Sequence, residues 1–180
     1  ICWSLVGSEM CIRDRVSGWG GQLQFKVKDD NGSLSDAYQT AMIMDHNGNV
    51  TKPNQPMCCF NVSNTSAGNY MSHNSVLTNN GSHYNTGNGR FTCPVAGFYF
   101  ATVMVMSNNN DQTMDIELRK NQINPNNILV PYSAATGGSY NQAVGSCIID
   151  CAAGDYLQFK LNSGSVYAGR HSSISFCLLA

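Results

Sequence analysis

The chain has 180 residues, ten Lys plus Arg against eleven Asp plus Glu, and a formal net charge of −1. That balance excludes the clustered basic footprint of a nucleic-acid binder, and no apolar run approaches the roughly 18 residues needed to insert in and cross a bilayer. Charged residues make up only 12%, against roughly 25% in ordinary domains; Asn, Ser, Thr and Gly take their place, a texture common in secreted and virion β-proteins.

In chain order, the first segment reads as foreign. Leu5 to Asp14 back-translates as CTC GTG GGC TCG GAG ATG TGT ATA AGA GAC, a string that resembles the transposon-end adapter of sequencing libraries. Residues 1–15 are therefore set aside as adapter-derived, and the expectation is of a fragment whose natural N-terminus lies elsewhere. Residues 16–56 follow as a short β-module. Leu23, Phe25 and Val27 alternate with Gln22, Gln24, Lys26 and Lys28, which predicts a strand ending at the turn Asp30–Ser33. A second strand, Ala41–Met44, ends at the turn Asp45–Asn49. Lys52-Pro53-Asn54-Gln55-Pro56 reads as a stiff extended connector. Two short strands alone are marginally stable, which suggests pairing with other chains, as in a stalk.

Residues 57–180 alternate short strand-like runs with turn clusters and hold no helix-period segment, the pattern of an all-β sandwich. Phe60–Val62 opens it. Phe98–Met106 is the longest run. Met114, Ile116 and Leu118 alternate with polar residues, and so do Val144, Ser146, Ile148 and Asp150 with a second, partly apolar set. After the turn Ala152–Asp155, Leu157, Phe159 and Leu161 are expected inward, with Tyr156, Gln158 and Lys160 outward. Ile174, Phe176 and Leu178 close the chain. The Phe98–Met106 run is unusual: Phe98, Phe100, Met104 and Met106 line one face, and Tyr99, Ala101, Val103 and Val105 the other, with Thr102 the interruption. A sandwich strand with a solvated face should be polar there. Either loops or another subunit must cover the second face, so Phe98, Tyr99, Phe100, Val103 and Val105 are candidate interface residues.

The run Phe91-Thr92-Cys93-Pro94-Val95-Ala96-Gly97-Phe98-Tyr99-Phe100, preceded by the polar turn Asn85–Gly89, resembles the core signature of C1q-like domains. The spacing of Asn79, Tyr84, Phe91, Gly97 and Tyr99 fits it, although His73 and Ala101 stand where the family places aromatics. Leu118-Arg119-Lys120-Asn121 occupies the place of a Lys-Asn-Gly turn, with Gln122 for the Gly, so that turn is expected to differ. Ala153-Gly154-Asp155-Tyr156-Leu157 matches a Gly-Asp hairpin, and Ser175–Leu179 resembles the closing strand, with Cys177 where a Gly is usual. The resemblance implies a jelly-roll β-sandwich of C1q/TNF-like type over 57–180. It also implies a homotrimer with the Phe98–Met106 strand near the axis, and action by binding. Met42 to Val50 resembles the segment that introduces the terminal domain of phage tail fibres. The expectation is a trimeric head on a virion or tail fibre that binds a cell-surface glycan or protein. The alternative is a secreted C1q/TNF-like recognition or signalling protein of a cellular organism, and the third class is a jelly-roll enzyme.

Catalytic signatures are missing: there is no G-x-S-x-G elbow, Walker loop or H-E-x-x-H, so no enzyme activity is expected. Of His46, His73, His83 and His171, the pair His73 and His83 flanks 74–82 and is a candidate metal or pH-switch site. Asp150 and Asp155 bracket the tight hairpin and are the candidate Ca²⁺ ligands, against plain turn chemistry; no other cofactor is expected. Tyr132 and Tyr140 flank the Gly-rich loop 134–139, where binding residues concentrate, and with Tyr167 are the candidate ligand-binding aromatics. Tyr84 is expected in the core. Outside the first fifteen residues lie Cys58, Cys59, Cys93, Cys147, Cys151 and Cys177. Cys147 and Cys151, on one strand face, sit roughly 13 Å apart, beyond the roughly 7 Å Cα limit of a disulfide. Cys58 and Cys59 point to opposite faces. Most are expected as small buried side chains, with their disulfide state open.

Overall fold

The computed structural model describes residues 2–5, 8–13, 22–27, 38–109, 113–123, 129–133 and 140–179, and among these there is no helix. The chain divides into two compact units, Ile1–Gln55 and Pro56–Ala180.

The first unit is an antiparallel meander in the order β1 (Cys2–Leu5), β2 (Ser8–Arg13), β3 (Gln22–Val27), β4 (Gln39–Met44) and β5 (Val50–Thr51). β1 and β2 fall within residues 1–15. β3 and β4 are the two strands expected from the sequence, paired Leu23 with Met44 and Phe25 with Met42. The turn that follows β4 is built by a side chain: Asp45 Oδ1 accepts from the backbone N–H groups of Asn47 and Asn49, each at 2.9 Å. No described side chain of this unit is fully buried.

The second unit holds β6 (Met57–Val62), β7 (Thr65–Ser66), β8 (His73–Asn80), β9 (Tyr84–Asn85), β10 (Arg90–Thr92), β11 (Gly97–Met106), β12 (Met114–Lys120), β13 (Leu129–Ser133), β14 (Gln142–Cys151), β15 (Tyr156–Ser163), β16 (Ser165–Val166) and β17 (Gly169–Leu178). They form two five-stranded antiparallel sheets, β14-β11-β17-β6-β8 and β13-β12-β15-β10-β9, with the small pair β16-β7 at the side. Neighbours in each sheet are mostly distant in sequence, which is the crossed connectivity of a jelly roll.

The core lies between the two sheets. Phe91 and Phe159, from one sheet, stack on Phe176 of the other at 5.3 and 5.5 Å between ring centroids. Tyr84 is buried against Phe60 at 4.4 Å, as its position in the family motif suggested. Leu157, Phe159 and Leu161 point inward as their alternation predicts. Gln158 does not point into solvent as expected: it is 4% exposed. The turn at 88–89 folds over it, and its amide Nε2 donates to the Asn88 and Gly89 carbonyls at 3.0 and 3.3 Å. The 119–122 turn does not differ as the missing Gly suggests: Lys120 and Ile123 exchange backbone hydrogen bonds at 3.1 and 2.9 Å around a two-residue hairpin turn, the kind an Asn-Gly pair favours. Gln122 keeps φ at +64° beside Asn121 at +53°, the left-handed pair of a tight hairpin turn that glycine adopts without penalty.

β11 decides between its two apolar faces. Tyr99, Ala101, Val103 and Val105 are each 0% exposed and fill the core of their own chain. Tyr99, Val103 and Val105 are therefore corrected as interface candidates, because no partner can reach them. Phe98 and Phe100, on the opposite face, stay available.

Candidate functional site

Antiparallel register builds an apolar strip on the outer face of the first sheet. β14 pairs with β11 so that Phe100 lies opposite Ile148 and Met104 opposite Val144. Successive side chains alternate between faces, so burial of Tyr99, Val103 and Ile149 forces Phe98, Met104, Val144 and Ile148 outward. Phe98 is 55%, Met104 41%, Val144 57% and Ile148 58% exposed. Among the described residues β14 is also the edge strand of its sheet, and an apolar face next to a sheet edge invites another chain.

At the far end of the same strands a second feature forms. Tyr167 N–H donates to the Met106 carbonyl at 2.8 Å and Ser107 N–H to the Asn141 carbonyl at 2.7 Å. These backbone bonds draw the end of β11, the start of β14 and the start of β17 together. Met106, Tyr140, Tyr167 and His171 line a cleft of about 250 Å³ there. Tyr167 meets Tyr140 edge-on at 6.3 Å and His171 at 5.7 Å. Tyr140 is held at φ +63°, rare for a side chain of that bulk, and is 58% exposed. Two of the three candidate aromatics thus converge. The third, Tyr132, has its backbone in β13 opposite Asp115, while its side chain and the loop 134–139 lie outside the described residues. His171 joins the cluster although sequence reasoning did not select it. Its face on β17 depends on the irregular register between Gly169 and Ser173, which no local pattern reveals.

The candidate metal ligands are placed otherwise. Asp155 is engaged in turn chemistry: Oδ1 accepts from Asn121 Nδ2 at 2.7 Å and Oδ2 from the Ala152 N–H at 2.8 Å. The Lys120 ammonium lies 3.7 Å from Oδ2, which opposes a cation at that carboxylate. The Asn121 hydrogen bond, with the Ala152 N–H and Lys120 behind it, holds the Asp155 carboxyl below the ordinary range. Asp150 contributes its backbone carbonyl to Lys120 at 3.1 Å. His73 packs edge-on to Tyr84 at 5.8 Å, whereas the His83 ring sits over Gly81. Among the described residues no three His, Cys, Asp or Glu side chains are grouped to hold a metal ion.

Residues 59–177 match the family model of the C1q domain. The chain belongs to the C1q domain family. The chain is 29% identical over 101 residues to mouse complement C1q tumor necrosis factor-related protein 3, covering 56% of this chain and 39% of that protein; the chain thus spans less than half the length of that curated relative. The globular domain of a zebrafish complement 1qA protein superposes with a TM-score of 0.57 at 12% identity, over 70% of this chain and 98% of that one. Murine APRIL superposes with a TM-score of 0.53 at 13% identity, over 69% and 99%. These likenesses establish the jelly roll. Domains of the C1q/TNF family are generally recognition modules and typically form homotrimers. None of these three proteins is a fibre or virion protein, so the tail-fibre expectation gains nothing from them, and the secreted C1q/TNF-related alternative is the better supported.

Proposed function

We propose that this chain carries a non-enzymatic, homotrimeric recognition head of an extracellular C1q/TNF-related protein. The observation that carries the reading is the apolar outer face of β11 and β14, whose exposed Phe98, Met104, Val144 and Ile148 a cyclic assembly would cover. Residues 16–56 are read as a short β-stalk ahead of the head at 57–180. Ligand recognition is assigned to the Tyr140, Tyr167 and His171 cleft. Flat aromatic faces with uncharged polar tips suit a sugar ring or a partner side chain on a cell surface. The virion reading rests on the stalk-like segment 18–56, with Met42–Val50 within it; fibre-type sequence encoded directly upstream would favour it, and a collagen-type Gly-X-Y run would remove it.

Light scattering of the full chain tests the proposal. A trimer that becomes a monomer when Phe98 and Ile148 are both changed to Glu supports it. A wild-type monomer across micromolar concentrations defeats the assembly half of the reading.

A further inference from the structure

The pole of the sandwich opposite the aromatic cleft holds two thiols in contact. Cys93, in the connection between β10 and β11, is 0% exposed, and Cys151, the last residue of β14, is 2% exposed. Both are free thiols, and their side chains interact directly although the residues belong to different segments of the chain. Backbone bonds hold both in place. Cys93 N–H donates to the Asp155 carbonyl at 2.7 Å, and Gly154 N–H donates to the Cys93 carbonyl at 2.8 Å. This fixes Cys93 against the turn that follows Cys151. Cys151 itself pairs with Gly97 at the start of β11. Tyr99 stands beside both sulfurs, and its hydroxyl donates to the Val95 carbonyl at 2.8 Å, closing the same loop. The remaining described cysteines offer no such pair: Cys58 and Cys59 are adjacent on opposite faces, and Cys147 and Cys177 lie opposite Ala101 and Phe100.

We propose that Cys93 and Cys151 form a disulfide that staples the β10–β11 connection to the end of β14, with a low-molecular-weight disulfide as oxidant. Two S–H bonds break and one S–S bond forms. The oxidant takes up the two electrons and two protons and leaves as two thiols. The interaction between the two thiols lowers the pKa of Cys151, against burial, and raises that of Cys93 together with burial. Lys120 lies close enough to favour the thiolate, while Asp150 and Asp155 oppose it. Both sulfurs are enclosed in the folded domain, so the exchange takes place as the chain folds or as the Ala152–Asp155 turn opens. An oxidising extracellular compartment is where such bonds persist. The staple would lock the end of the β11–β14 pair from which Phe98 projects.

The test uses the full chain refolded with oxidised glutathione or with reductant, alkylated, digested without reduction and read by mass spectrometry. The expected result is one cross-linked peptide pair holding Cys93 and Cys151 in the oxidised sample. Its melting temperature should be about 5–15 °C above that of the reduced sample. Cys93→Ser, refolded the same way, should show no such rise and leave Cys151 open to alkylation. Full alkylation of both cysteines after oxidation overturns the proposal. A stable glutathione adduct on either, or a dominant cross-link to another cysteine, does so equally. The peptide map of the unmodified chain decides the matter by itself, so a Cys93→Ser chain that fails to fold changes nothing.

Discussion

The two faces of β11 are nearly equal in apolarity and opposite in fate. Tyr99, Ala101, Val103 and Val105 are sealed between the sheets, while Phe98 and Met104 project from the outer face at 55% and 41% exposure. Hydrophobicity therefore does not say which face becomes the core. The choice is made by the partner strands: β17 places Ile174 and Phe176 beside Val103 and Ala101, and β12 and β15 close the other side with Ile116, Leu118, Leu157 and Phe159. What is left outside is an apolar surface that the described residues do not cover. The same strand serves folding on one side and, in the proposed function, assembly on the other.

The comparison breaks most severely on the inner face. Val103→Asp would bury an unpaired charge at a site with no exposure, at a cost of about 4 kcal/mol or more; the expected outcome is loss of the cooperative thermal transition followed by circular dichroism. The matched outer change, Phe98→Glu with Ile148→Glu, should leave the far-ultraviolet spectrum intact and lower the solution mass to that of one chain. If both sets of changes unfold the protein equally, the two faces are not functionally distinct.

Away from β11 the effects shrink. Tyr140→Ala with Tyr167→Ala removes two walls of the cleft and should weaken binding on a glycan array or to intact cells by at least about tenfold, roughly 1.4 kcal/mol, with the trimer mass unchanged. Unchanged binding would take these tyrosines out of the recognition surface. Gln122→Gly relieves a left-handed backbone at φ +64° and should stabilise the domain by about 1 kcal/mol, read as a rise in the denaturation midpoint. The smallest effect concerns acid. The carboxyl of Asp155 titrates below its ordinary value of 3.8 in the folded chain, chiefly through Asn121. Its contribution is therefore in place above that value and is lost as pH falls through the lower folded one. Asp155→Asn should make the fall in melting temperature between pH 5 and pH 2 shallower, and an unchanged slope would show that the turn does not feel this carboxylate.

Much of the fold was legible because it is written locally. Leu157, Phe159 and Leu161 alternate with polar neighbours and point inward; the Asp45 and Asp155 turns carry the side chains that build them. Gln158 departs from its expected place because alternation assigns faces but not cover, and the turn at 88–89 that encloses it is distant in sequence. The candidate site was half legible. Tyr140 and Tyr167 could be picked out as aromatics on polar segments. Their meeting with His171 depends on how β11, β14 and β17 align at one pole, and the contact between Cys93 and Cys151 depends on the same strands at the other.

The sequence by itself determined the all-β class, the positions of the main strands and turns, and the C1q resemblance, because side-chain period, turn chemistry and motif spacing act over a few residues. Only the tertiary structure decided which face of β11 is core, which aromatics share a cleft and which two of the cysteines touch. Those outcomes are set by register between strands far apart in the chain, and a shift of one residue in that register would exchange every inward side chain for an outward one.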